Sequence, residues 1–173
     1  MAIAAIIERA MGHHFLSQSG RIEFWVSAVN SSENSQQIAD WYSFSHIIHG
    51  FFFYWFFRLV SRRRLSVVVC LLLTIGVEAS WEVLENSPII IDRYRQTMSL
   101  HYYGDSILNS MCDILFCVLG FALAAYLPAR VIIALVILME LGVAYAIRDN
   151  LTLNIIMLIH PFSAIRHWQL AGG

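Results

Sequence analysis

Three groups of chemistry-bearing side chains stand inside or beside long apolar runs of this 173-residue chain. His46 and His49 are three residues apart, Glu78, Glu82 and Glu85 follow one another at spacings of four and three, and Asp105, Asn109 and Asp113 at intervals of four. At about 100° per residue each set forms one stripe on a helix face. Imidazole with carboxylate oxygen is a ligand set for zinc, iron or manganese, whereas carboxylates and amides alone suit magnesium or calcium. The spacing therefore predicts a polar pocket in which His46, His49, Glu78, Glu82 and Asp113 bind a divalent metal ion or share protons. Glu82, Asp105 and Asp113 are the candidate catalytic carboxylates, and Glu85, Asn86 and Asn109 would orient the ligands from behind. Taken singly, each is also an ordinary polar group: Glu85 and Asp105 read as water-facing helix ends, His46 and His49 as hydrogen-bonding groups in a bundle. A haem is the weaker reading, because two histidines on one helix cannot flank one iron and His101 or His160 would have to be the partner.

An ionised side chain at the centre of a bilayer costs roughly 2.5–3.5 kcal/mol on insertion scales, so the surrounding elements decide what the stripes mean. The chain is 58% hydrophobic and 13% charged, with a mean hydropathy of +0.64; soluble domains run nearer 45–50% and about 25%. Apolar stretches at 42–60, 65–84, 107–127 and 131–147 approach the roughly 17–25 residues that cross a bilayer. A fifth, 151–168, is interrupted by Pro161 and either spans or re-enters, with spanning the expectation. The expected fold class is all-α, a polytopic transmembrane helical bundle of about five spanning helices over residues 42–173. Residues 1–41 form a short apolar stub and a polar extramembrane segment rich in Ser, Asn and Gln.

Arg62, Arg63 and Arg64 between the first two spans, and Arg130 before the fourth, place those loops in the cytoplasm by the positive-inside rule, although Arg21, Arg93, Arg95 and Arg148 fall on the other side. In that topology the histidines start their helix at the outer face, the glutamates end theirs there, and Asp105 to Asp113 start the next. All three stripes meet at one depth, where they would repel one another unless protons or a cation neutralise them.

With a net charge of -1 there is no basic surface for a phosphate backbone, and the low polar content excludes a disordered chain. All eleven basic residues are arginine, which nothing in the sequence explains. Cys70, Cys112 and Cys117 sit in apolar runs without a Cys-x-x-Cys pair, against a disulfide framework or thiolate zinc site. Glu140, inside the fourth span, is expected to pair with an arginine or His160, or to mark a proton path. The run Phe51, Phe52, Phe53, Trp55, Phe56 and Phe57 reads as lipid-facing surface, and Trp41, Tyr42, Tyr102 and Tyr103 as an outer aromatic belt. Arg93 and Arg95 read as solvated charges or as receivers of an anionic headgroup.

The stretch Ser32-Glu33-Asn34-Ser35-Gln36, then Asp40-Trp41-Tyr42 leading into Ser45-His46-Ile47-Ile48-His49-Gly50, resembles the uncharacterised membrane protein family 0314, domain of unknown function 2585. Glu78-Ala79-Ser80-Trp81-Glu82-Val83-Leu84-Glu85-Asn86, Asp92-Arg93-Tyr94-Arg95-Gln96, Gly104-Asp105-Ser106-Ile107-Leu108-Asn109-Ser110 and Ile147-Arg148-Asp149-Asn150-Leu151-Thr152-Leu153-Asn154 are similar to the same pattern. The resemblance implies a multi-pass bacterial inner-membrane protein and assigns no mechanism. The chain departs from it at Phe15-Leu16-Ser17-Gln18-Ser19-Gly20, where family members often carry Cys-x-Cys after a full apolar helix.

Two functions follow as expectations. One is a membrane enzyme whose divalent metal ion activates water for hydrolysis or transfer on a lipid or lipid-linked substrate. The other is a non-enzymatic accessory or assembly subunit, or a small proton or metal transporter, whose carboxylates fix helix packing or carry charge. The bilayer is the expected partner, nucleic acid is not, and protein partners are not specified.

Overall fold

The computed structural model of the protein describes residues 1–97 and 102–170, so His101 lies outside the described residues. These contain eight helices and no strand: α1 (Ala2–Ala10), α2 (Ser43–Val60), α3 (Val67–Glu85), α4 (Pro88–Thr97), α5 (Ile107–Tyr126), α6 (Ala129–Ile147), α7 (Leu151–Ile159) and α8 (Ser163–Leu170). The all-α expectation holds, and the number of spans is corrected. Three helices, α3, α5 and α6, are long and apolar enough to cross a membrane. At 1.5 Å per residue they run about 28–30 Å, close to the hydrocarbon thickness. The expected span at 42–60 forms α2, of 18 residues, but His46, His49 and Arg58 lower its apolarity below that of the other three. The expected span at 151–168 is two short helices, because the residue before Pro161 is disfavoured in helical geometry and His160 turns extended (φ -144°, ψ 113°). The nine residues of α7 reach only about 14 Å.

Helix boundaries follow from local chemistry. The Ser66, Ser106 and Asn150 side chains accept the Val69, Asn109 and Leu153 N–H groups and start α3, α5 and α7. The α2–α3 turn passes through Arg62 and Arg63, both with positive φ, and the Arg58 guanidinium donates to the Leu65 carbonyl at 2.7 Å.

α2 packs along α5 more extensively than any other pair, and α3 lies against both. Ile47, Ile48 and Phe51 of α2 form the apolar core with Ala124 of α5 and Ile132 of α6. Phe51 is thus a core residue rather than lipid-facing surface, whereas Phe52, Trp55 and Phe56 are exposed as expected. Only 11% of the most apolar stretch of α6 is buried, and such a surface of Ile, Leu and Val is stable in lipid rather than in water.

The polar segment before α2 closes one end of this bundle. The first N–H groups of α5, which have no partner within a helix, are received from outside it: Ser106 by the Ser35 carbonyl, Ile107 by His14 and Leu108 by Phe15. Asn109 donates its amide to the Gln37 carbonyl at 2.9 Å, and Gln36 donates to Gly104 at 2.8 Å. The segment is therefore tied onto the end of α5 that carries the carboxylates.

Candidate functional site

α2, α3 and α5 bring the histidine and glutamate stripes into contact. The Nδ1 atoms of His46 and His49 lie 2.6 and 3.1 Å from the same oxygen, Glu78 Oε1. His46 Nδ1 is also 3.3 Å from Glu82 Oε1, and its other face, at Nε2, lies 3.8 Å from Asp113 Oδ2. Asp113 accepts the Ser43 hydroxyl at 3.2 Å. His46 thus stands between a buried carboxylate pair on α3 and the carboxylate of α5. Glu78 and Glu82 are fully buried, yet Glu78 Oε2 and both oxygens of Glu82 have no hydrogen-bond partner among the described residues. Burying carboxylate oxygens without a donor or cation is among the costliest arrangements a protein can hold.

Two candidate ligand groups with atoms within 4.8 Å of one another share His46: His46, His49 and Glu78, and His46, Glu82 and Glu85. Ligand atoms about 2.0–2.1 Å from a tetrahedral zinc sit roughly 3.3 Å from each other. The His49–Glu78 and His46–Glu82 separations of 3.1 and 3.3 Å match that spacing, while the His46–Glu78 contact at 2.6 Å is shorter and would open on metal entry.

The remaining candidates form a second layer. The Asn86 amide donates to Asp105 Oδ2 at 3.0 Å and its carbonyl receives the Asp105 N–H at 2.6 Å, which ties the end of α3 to the start of α5. Tyr102 donates its hydroxyl to Asp105 Oδ1 at 2.9 Å, and burial raises the Asp105 carboxyl to about 6. Glu85 accepts the Tyr94 hydroxyl at 3.0 Å. Asn86 therefore positions Asp105 rather than a histidine, and Asn109 holds the polar segment.

A cleft of about 800 Å³ opens on this layer. His46, Glu85, Asp105 and Asp113 line it together with Arg148, Asp149, Asn154 and Arg166. Several lining residues are not legible as such in the sequence. Tyr42 and Tyr102, expected in an aromatic belt, direct their hydroxyls to Asp149 (3.3 Å) and Asp105 (2.9 Å). Asp149 also receives the Asn150 N–H and is raised to about 6 by burial. Asp40, directly before α2, fixes the backbone at Tyr42: its carboxylate accepts the Ser35 and Tyr42 N–H groups and is raised by burial.

Two further expectations are corrected. Glu140 pairs with neither an arginine nor His160; its carboxylate accepts the Leu151 and Thr152 N–H groups, both at 3.1 Å, at the positive end of the α7 dipole. Arg93, expected as a solvated charge or a headgroup receiver, donates to the Leu158 carbonyl at 3.0 Å and the Ile159 carbonyl at 3.4 Å, at the negative end of α7. Arg95 donates to the Tyr102 carbonyl, and His160 packs on Phe162 with ring centroids 4.9 Å apart.

The family model described as protein of unknown function (DUF2585) matches residues 8–171. The chain is 50% identical over 173 residues to the UPF0314 protein of Sphingopyxis alaskensis, covering 99% of this chain and 92% of that one. It is 51% identical over 172 residues to the UPF0314 protein of Novosphingobium aromaticivorans, covering 96% and 87%. A UPF0314 protein of Rhizobium etli is 50% identical over 165 residues, covering 95% and 84%. No solved structure matches.

Proposed function

The chain belongs to the DUF2585 family, and we propose that it is an inner-membrane protein that holds a divalent transition metal between α2 and α3 and uses it on a lipid or lipid-linked substrate. The observation that carries this reading is the fully buried Glu82, whose carboxylate oxygens accept no hydrogen bond among the described residues and one of which lies 3.3 Å from His46 Nδ1. His46, His49, Glu78 and Glu82 supply two imidazoles and two carboxylates, a set suited to zinc, iron or manganese. Such an ion supplies a water molecule of lowered pKa or polarises a substrate oxygen. Asp113, across the His46 ring and lining the cleft, is placed to accept a proton there. Tyr102 and Asn86 hold Asp105 at the cleft wall by hydrogen bonds. The arginine-rich turn at Arg62, Arg63 and Arg64 supports a cytoplasmic position for the opposite end, with the cleft in the outer half of the membrane.

Elemental analysis of detergent-purified protein tests the reading, beside a His46→Ala/His49→Ala/Glu82→Ala variant and the folded control Glu140→Gln. The expected result is near-stoichiometric metal in the native chain and the control, lost in the triple variant. Folded native protein that takes up no zinc, iron or manganese from metal-supplemented buffer overturns it.

One distance favours a second reading, an accessory subunit or a small transporter that shares protons. His46 Nδ1 and Glu78 Oε1, at 2.6 Å, are at the separation of a charge-assisted hydrogen bond rather than of two ligands on one ion. Absence of metal together with stable co-purification in a larger assembly, or with proton flux in proteoliposomes, would select it.

A further inference from the structure

We propose that the cleft binds an anionic amphiphile, with its charged headgroup between Arg148 and Arg166 and its apolar part along the lipid-facing side of α6. The two arginines line the same cleft as His46, Asp105 and Asp113. Neither has a carboxylate within ion-pair distance among the described residues, where every ion pair belongs to His46, His49 or Arg95. Asp149 also lines the cleft, but its oxygens already receive the Asn150 N–H, the Tyr42 hydroxyl and the Gln169 amide. The two guanidinium charges are thus left for something that is not part of the chain.

Arg148 is held in place for this. It ends α6 in the left-handed region at φ 54°, donates to the Trp168 carbonyl at 2.9 Å and stacks over the Trp168 ring at 5.8 Å. One edge of a planar guanidinium is occupied by these contacts, and the rest of its fork suits a phosphate or carboxylate. Tyr145 and Leu170 line the same cleft, and they are 93% and 54% exposed. Tyr145 continues directly into the unburied surface of α6, which is suited to acyl chains. An amphiphile placed this way has its headgroup in the cleft that His46 and Asp113 also line. The assignment of those two residues as the reacting end rests on the proposed metal chemistry, whereas binding at the arginines does not.

The test uses the full chain in nanodiscs of mixed phosphatidylglycerol and phosphatidylcholine, with retained lipid counted by native mass spectrometry after detergent release. Samples are run with and without EDTA, with metal content measured on each, so that failure of the metal reading is seen separately. The native chain is expected to retain phosphatidylglycerol over phosphatidylcholine by roughly tenfold in both conditions. Arg166→Gln, at an exposed residue, should abolish the preference at native metal content and thermal midpoint, and Arg148→Gln/Arg166→Gln should abolish it at native metal content with a midpoint lowered by the lost Arg148 contacts to Trp168. Arg148→Lys should weaken it partially, as a point charge replaces a fork. Equal retention of both lipids by the native chain, or an unchanged preference in folded Arg166→Gln and the double variant, overturns the proposal. Displacement of the bound phosphatidylglycerol by equimolar inorganic phosphate also overturns it, because the site would then read a free anion.

Discussion

Replacing Gly120 by alanine should drive α2 and α5 apart and take the candidate site with them. A Cβ at Gly120 would lie 2.0 Å from the Ile47 carbonyl oxygen and 2.9 Å from its carbon; one at Gly50, on the facing helix, would lie 2.0 Å from the Cys117 oxygen and 2.5 Å from the Phe121 nitrogen. Every one of these atoms is backbone, so no rotamer change relieves the overlap. Ordinary contact begins near 3.4 Å, so the helices must separate by about 1.4 Å at this crossing, a geometry that small residues permit between membrane helices. Overpacking of this kind costs about 1–3 kcal/mol. Ile47 is next to His46, and Asp113 lies seven residues before Gly120 on the same face of α5. The Ser43–Asp113 hydrogen bond at 3.2 Å and the His46–Asp113 approach at 3.8 Å would therefore both be lost. The assay is unfolding in mixed detergent micelles followed by circular dichroism, with metal content read on the same sample. Gly76→Ala is the control: its Cβ meets nothing within 4 Å, and helix propensity should make it neutral or more stable by up to about 1 kcal/mol. Gly120→Ala within about 0.5 kcal/mol of the native chain would refute the close-packed crossing.

Glu140→Ala should leave the α7 N-terminus without its carboxylate and cost about 1–2 kcal/mol locally, read as faster hydrogen exchange at Leu151 and Thr152; unchanged exchange would contradict the cap. Asn86→Ala removes the hydrogen bonds between the ends of α3 and α5 and should destabilise the fold by roughly 2–3 kcal/mol, measured by the same unfolding assay. Burial raises the Glu8 carboxyl from 4.5 to about 7, so between these values the unfolded chain has released a proton that the folded chain retains. Stability should fall as pH rises from 4.5 to 7 and then level off. Glu8→Gln should lessen that slope, leaving the share carried by the raised Asp105 and Asp149 carboxyls, and exceed the native chain in stability at pH 8; an unaltered pH profile would count against a buried Glu8.

Helical periodicity is a local property, and what depends on it could be read directly from the residues. The four-residue and three-residue spacings put Glu78 with Glu82, His46 with His49, and Asn109 with Asp113 on single helix faces, whereas Asp105, expected on the same stripe, stands outside the helix before the Ser106 cap; apolar length alone marked α3, α5 and α6. Antiparallel order then placed the three stripes at one end of the bundle. The choice of partner for each polar atom was not legible, because it depends on how closely backbones approach and where a broken helix turns back. Gly50 and Gly120 let α2 and α5 touch through main-chain atoms, which brings His46 to Asp113. The break at Pro161 leaves α7 too short to span, and its two ends draw Glu140 and Arg93 into capping roles that no spacing signals. The segment before α2, polar and without periodicity, becomes a roof because the first N–H groups of α5 need carbonyl partners and His14, Phe15 and Ser35 supply them. Residue type and spacing thus determined which groups share a face, while the tertiary structure decided which of them lack a hydrogen bond in the interior: Glu82, whose oxygens have none among the described residues and whose one ion-pair neighbour there is the His46 ring at 3.3 Å.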